Sequence, residues 1–160
     1  FNSTNIPLKR NFILSIKLAN NDQLKIDKLF VGELTKNGNI INKNAKVSKD
    51  WISAEVTKFG RFKIFTDSVP PKVSHVGNNF QKNKNQELAF KIIELKSGVD
   101  KYNVFIDNKW VLSNFSHKTN RLKVKLDKYS NVFPGSHSCT VEVSDERKNK
   151  TILEFDFKVN

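Results

Sequence analysis

Hydrophobic and polar positions alternate in twos along most of this chain, the pattern of strands that bury one face. Phe12, Leu14, Ile16 and Leu18 fall on one side of such a segment, with Ser15 and Lys17 on the other. A second strand is expected over 24–34, interrupted near Lys28. Asn37-Gly38 then predicts a tight hairpin, because both residues tolerate positive φ, and Ile40-Ile41 carries the return. Alternation resumes over 51–57 and again over 61–66, with a turn or bulge at Phe59-Gly60. Residues 1–11 read as a polar lead-in, and the stretch up to Asp50 as a polar loop. No stretch shows the period of a helix.

Pro70-Pro71 stops this pattern. Two successive prolines fix φ and remove two backbone donors, so neither a helix nor a central strand passes through them. The residue before each proline is driven to extended geometry, which makes Val69 to Lys72 a short, stiff connector. A boundary is placed there, giving a 1–69 domain and a 70–160 domain, each with its own core. In the second, strands are expected over 73–76 and 88–95, with Phe90 and Ile92 inward and Lys91 outward. Tyr102, Val104 and Ile106 form another inner face, and Trp110 and Leu112 return beside them after a tight Asp107-Asn108 turn. Leu122, Val124 and Leu126 follow, then 139–144 after Pro134-Gly135, and Leu153, Phe155, Phe157 and Val159 close the set. About seven short strands at this spacing suit an immunoglobulin-like sandwich. The expected fold class is all-β: two tandem β-sandwich domains, the second immunoglobulin-like.

The 160 residues carry a net charge of +12, one cysteine and no methionine. Lacking an initiator methionine, a signal-like segment and any apolar run of membrane-spanning length, the chain is expected to be an excised or processed piece of a longer protein, with no transmembrane segment. Cys139 has no partner for an internal disulfide and reads as a small buried apolar residue. The 13 phenylalanines mostly take inward positions, which argues for core rather than base stacking, so no specific nucleic acid is expected. Trp51 and Trp110 likewise read as core or inter-sheet plugs rather than sugar platforms. Phe65 and Phe105 point opposite to their apolar neighbours and are candidates for covering an interdomain or protein contact. Ser97, Ser136 and Ser138 sit in turn-like sequence without a nucleophile elbow, and no glycine-rich phosphate loop occurs.

The runs TDSVPPK, SGVDKYNVFIDNKWVL and PGSHSCTVEVSDERKN, with EFDFKV near the end, resemble the C-terminal accessory region of lysostaphin-like (LytM-type) zinc metallopeptidases from Bacteroidetes. Upstream, FVGELTKNGNI and DWISAEVTKFGRFKIFTD resemble the domain that precedes it there, so the likeness runs from about Leu24 onward. Glu94 and Lys96 stand where an Asp-rich turn is usual, and Asp145 to Asn149 lacks the usual glycine of that hairpin. The resemblance implies a periplasmic, cell-envelope or secreted setting and a parent protein that is a zinc-dependent peptidoglycan endopeptidase. It does not bring the active site. Such peptidases hold zinc through a His and an Asp a few residues apart and a later His-x-His, since catalytic zinc needs three close ligands and an open position. His75, His117 and His137 are far apart in sequence, so no catalytic residue, metal ligand or cofactor is assigned to this piece. His137 reads as a hydrogen-bonding corner residue; with Cys139 it makes a Cys/His pair to which the sequence supplies no orienting acid.

In an immunoglobulin-like order the 88–95 strand neighbours 121–126, which places Lys91, Arg121, Lys123 and Lys125 on one outer face. The opposite sheet would show Glu142, Glu154 and Asp156 with Lys158. The basic four are the candidate binding residues, for weak contact with an anionic polymer, set against a plain solvated face that discourages edge pairing. The expected function is non-catalytic: an accessory, positioning or binding module of a cell-envelope peptidase, whose partner is an anionic envelope polymer or a protein. A free-standing extracellular adhesion or carbohydrate-binding module is the alternative, marked by exposed tryptophans. A hydrolase in its own right ranks third.

Overall fold

The structure, a computed structural model, describes residues 7–19, 25–77, 87–130 and 132–159. Residues 1–6 of the lead-in, and residues 78–86 between the strands expected over 73–76 and 88–95, lie outside the described residues. Contacts divide the chain into two compact units, Phe1–Val69 with Leu95–Gly98 and Pro70–Glu94 with Val99–Asn160. A single cut does not separate them, because Leu95–Gly98 folds with the first unit.

The first unit is built from β1 (Pro7–Lys17), β2 (Leu29–Leu34), β3 (Ile40–Asn42), β4 (Lys46–Ser48), β5 (Trp51–Lys58) and β6 (Arg61–Thr66). They form two antiparallel sheets, β1-β5-β4 and β3-β2-β6. Leu18, Leu29, Val31, Ile52 and Ala54 make the core, with Leu14, Ile16, Phe62 and Ile64 half-buried around it. A single 3₁₀ turn over 25–28 precedes β2, which accounts for the interruption near Lys28. The Asn-Gly hairpin is looser than expected. Gly38 N donates to Thr35 O at 3.1 Å, Thr35 N donates to Asn39 O at 2.9 Å, and of the loop residues only Gly38 has positive φ, at 80°. This is a three-residue loop with glycine at its left-handed position, not a two-residue turn with two such positions. Phe59-Gly60 carries the chain across from one sheet to the other.

Asp67, wholly buried, organises the end of this unit. Its carboxylate accepts from Ser97 Oγ at 2.7 Å and from the backbone N–H groups of Ser97 and Val69, both at 3.2 Å. Asn42 Nδ2 donates to Ser97 O at 2.7 Å. Burial of a carboxylate is costly without such donors, so Asp67 fixes the Leu95–Gly98 segment in place.

The second unit contains β7 (Lys72–His75), β8 (Glu87–Ile93), β9 (Val99–Ile106), β10 (Lys109–Val111), β11 (Ser113–Ser116), β12 (Arg121–Lys125), β13 (Gly135–Asp145) and β14 (Lys150–Val159). Its two four-stranded antiparallel sheets run β11-β12-β8-β7 and β10-β9-β13-β14. Lettered in chain order with β10 as C′, these are the D-E-B-A and C′-C-F-G sheets of an immunoglobulin-like sandwich. Leu88, Phe90, Ile92, Leu122 and Val124 from one sheet meet Val104, Ile106, Cys139, Val141 and Val143 from the other. Asp107 and Asn108 both take positive φ, at 48° and 62°, as a two-residue hairpin turn requires. In the β13–β14 hairpin Lys148 takes φ 60° where glycine is missing. Asp145 Oδ1 secures that turn, accepting from Arg147 N at 2.8 Å and Asn149 N at 2.9 Å.

Neither tryptophan is a plug. Trp110 is 58% exposed and Trp51 46%. The two-residue turn pairs Trp110 with the outward-facing Phe105, and Val111, opposite Val104, is the residue that enters the core. In β5 the buried positions are Ile52, Ala54 and Val56, so Trp51 shares the other face with Ser53 and Glu55. Phe65 stacks on Phe30 with ring centroids 5.5 Å apart. Among the described residues there is no α-helix, and no helix is long and apolar enough to cross a membrane.

Candidate functional site

The antiparallel pairing of β8 with β12 sets Arg121 opposite Lys91, Lys123 opposite Ala89 and Lys125 opposite Glu87. Leu122, Val124 and Phe90, the alternating positions between them, are wholly buried, so Lys91, Arg121, Lys123 and Lys125 share the outer face, and all four are exposed. Arg121 and Lys91 are like charges directly opposite one another, an arrangement unfavourable by itself. Lys123 Nζ lies 2.7 Å from Glu87 Oε1, which offsets part of the charge. Lys72, absent from the candidate set, joins this face from β7, where it alternates with the half-buried Val73. Its signal was present: Lys72, Val73 and Ser74 alternate directly after the prolines.

The outer face of the other sheet is mixed in sign. Glu142, Glu154, Asp156 and Lys158 lie on it, and Lys150 Nζ contacts Glu142 Oε1 at 2.9 Å.

The three histidines are held by three separate sets of neighbours. His75 on β7 packs against the rings of Phe155 at 5.1 Å and Phe90 at 5.7 Å, and burial pushes its pKa down. His117, after β11, meets Phe115 edge-on at 4.8 Å. His137 is the corner residue. Its Nδ1 is 2.6 Å from Asp107 Oδ2 and its Nε2 2.6 Å from Phe133 O. Both nitrogens face acceptors, an arrangement that only the protonated ring satisfies with two donated hydrogen bonds. The Asp107 hydrogen bond, with that to Phe133, raises the His137 pKa, and the same contact to His137 holds Asp107 below its ordinary range. His137 sits two residues before Cys139 at the start of the F strand and bonds backbone four residues upstream, the place of the tyrosine corner in immunoglobulin domains. Asp107, 30 residues away, is the acid that the sequence did not supply. It does not make a nucleophile: both His137 nitrogens are engaged, and burial pushes the Cys139 thiol up to about 12.

In the first unit Glu33 is a buried acid on the core side of β2. Lys43 Nζ lies 2.8 Å from its Oε2 and Lys58 Nζ 2.9 Å from its Oε1. Burial pushes the carboxyl up, but the hydrogen bonds and charges of the two lysines outweigh this and hold it below its ordinary value.

Residues 1–67 match the Zu5-like domain family. The match spans the continuous part of the first unit and fewer than half of the 160 residues, and so describes what that unit is similar to. No curated protein matches the chain significantly.

Proposed function

We propose that this chain is a non-catalytic accessory module that positions a cell-envelope zinc metallopeptidase against an anionic envelope polymer. The observation that carries this reading is the face of Lys91, Arg121, Lys123 and Lys125, where like charges stand opposite each other on a rigid sheet and gain from an anionic partner. The resemblance to the accessory region of LytM-type peptidases supplies the setting: periplasmic, envelope-bound or secreted. On this reading the zinc chemistry belongs to a catalytic part of the parent protein, and the module needs no cofactor of its own.

The test is a pull-down on purified sacculi over a salt series, beside the variant in which Lys91, Arg121, Lys123 and Lys125 are all changed to Glu. Screening acts over about 8 Å at physiological ionic strength, so binding is expected to fall steeply with added salt. The variant is expected to bind less with a nearly unchanged melting temperature, since all four side chains lie outside the core. Unchanged binding by the variant, or none by either protein at low salt, leaves a spacer role.

Exposure of Trp51 and Trp110 favours a second reading, an extracellular adhesion or carbohydrate-binding module. Trp110 Nε1 donates to Asn103 Oδ1 at 3.2 Å, which orients an exposed ring on the C′-C-F-G sheet.

A further inference from the structure

At the end of the first unit's sandwich, the β2–β3 hairpin and the crossover from β5 to β6 enclose a cleft of about 260 Å³, whose walls include Glu33, Thr35, Lys36, Lys58, Phe59 and Arg61. Pockets that take up a whole drug-sized ligand run from roughly 300 to 1,000 Å³, so this one suits a small group or the end of a longer molecule. Its walls decide which.

Lys36, Lys58 and Arg61 bring positive charge. The acid among them, Glu33, is already neutralised by Lys43 and Lys58. The Lys58 side chain is 45% exposed; Glu33 anchors one side of its ammonium, and an ammonium has three donors to give. Arg61 Nη2 donates to Thr35 O at 3.3 Å, which holds the guanidinium against the hairpin while its other N–H groups remain to meet a ligand. Phe59 is 40% exposed, and its ring packs on Phe12 with centroids 5.8 Å apart, giving a fixed apolar wall. Cations held in place beside an apolar surface are the complement of a carboxylate on a short apolar stem.

We propose that this cleft binds the terminal carboxylate of a peptide, with the carboxylate on Arg61 and Lys58 and the last side chain against Phe59. Glu33 is then a positioning residue: buried and doubly paired, it fixes Lys58 before the ligand arrives. The site shares no residue with the basic face of the second unit and goes beyond the proposed function, so either can fail without the other.

The full chain, labelled with ¹⁵N, is titrated at low salt with N-acetyl-alanyl-alanine, with the C-terminal amide of the same peptide, and with inorganic phosphate. The acid is expected to shift amide signals from residues 33–36 and 58–61, with the amide form about tenfold weaker and phosphate weaker than the acid. Arg61→Gln is expected to weaken the acid about tenfold while its spectrum stays dispersed, and the four-Glu variant of the basic face to bind it as the wild type does. Equal response to acid and amide, shifts confined to other residues, or undiminished binding by Arg61→Gln would overturn the proposal. Phosphate binding as tightly as the peptide would reassign the cleft to bare anions and overturn its peptide specificity.

Discussion

Among the described residues the second unit gathers thirteen buried side chains, Phe90, Leu122 and Val141 among them, into one core, whereas the first gathers five in its core cluster and closes the end of its sandwich with the charged set Lys43, Glu33 and Lys58. Where two sheets of modest size leave an end unfilled, attraction between charges from different segments substitutes for apolar contact. Such a set gains little over an apolar replacement, but losing one member strands the others. The first unit should therefore respond to pH and salt, and the second mainly to changes of volume.

The largest effect expected is from Phe90→Ala in β8. Phe90 is wholly buried and touches the rings of Phe155 and His75, so its loss should cost about 3–5 kcal/mol in denaturant unfolding. A cost below about 1 kcal/mol would remove the contrast between the units. Glu33→Gln should cost about 2 kcal/mol, less than a fully buried pair would, because Lys58 is partly in solvent. The sign of its pH dependence follows from the lowered pKa. Stabilisation by Glu33 is present above its ordinary value of 4.5 and is lost as pH falls through the lower folded value. Acid should thus weaken the wild-type first unit, and the slope should flatten in Glu33→Gln.

The smallest effect belongs to His137, whose pKa is raised by Asp107 and Phe133 O. Stabilisation is present below its ordinary value of 6.5 and is lost as pH rises through the higher folded value. His137→Phe should cost about 1 kcal/mol at pH values where the ring is charged and almost nothing in mild alkali, read by thermal unfolding across that range. Mild alkali would then weaken the second unit through His137 and leave the first unchanged, while acid weakens the first through Glu33 and the second through Asp107, whose carboxyl the same contact holds low. A loss of the first unit's stability in mild alkali would break the comparison.

Alternation made most strands and the shared face of Lys91, Arg121, Lys123 and Lys125 legible, because period two is a local property and the immunoglobulin order supplies the neighbour. The error at Trp110 was also legible in principle. The sequence points Phe105 outward, and across a two-residue turn residue 110 stands opposite residue 105, so both must share a face. Short β4 and β11 escaped because each presents one apolar residue inward, Val47 and Phe115, too few to show a period. What no local pattern could show are the long-range polar links. Ser97 finds Asp67 at a separation of 30 residues, as His137 finds Asp107, and Glu33 draws its lysines from two different segments. Each depends on tertiary register rather than spacing.

Ser97 gives both its backbone N–H and its hydroxyl to buried Asp67. A DNA segment that stops at the codon for Val69 therefore encodes a first unit short of two donors for a carboxylate in its interior. One that starts at Pro70 carries Leu95–Gly98 shaped for a body it does not have. Recombination at the proline codons, which look like a natural joint in the gene, would yield poorly folding products on both sides. Inheritance then favours the pair as one cassette, and a library shuffled at that joint should be depleted of soluble clones relative to one that moves both units together.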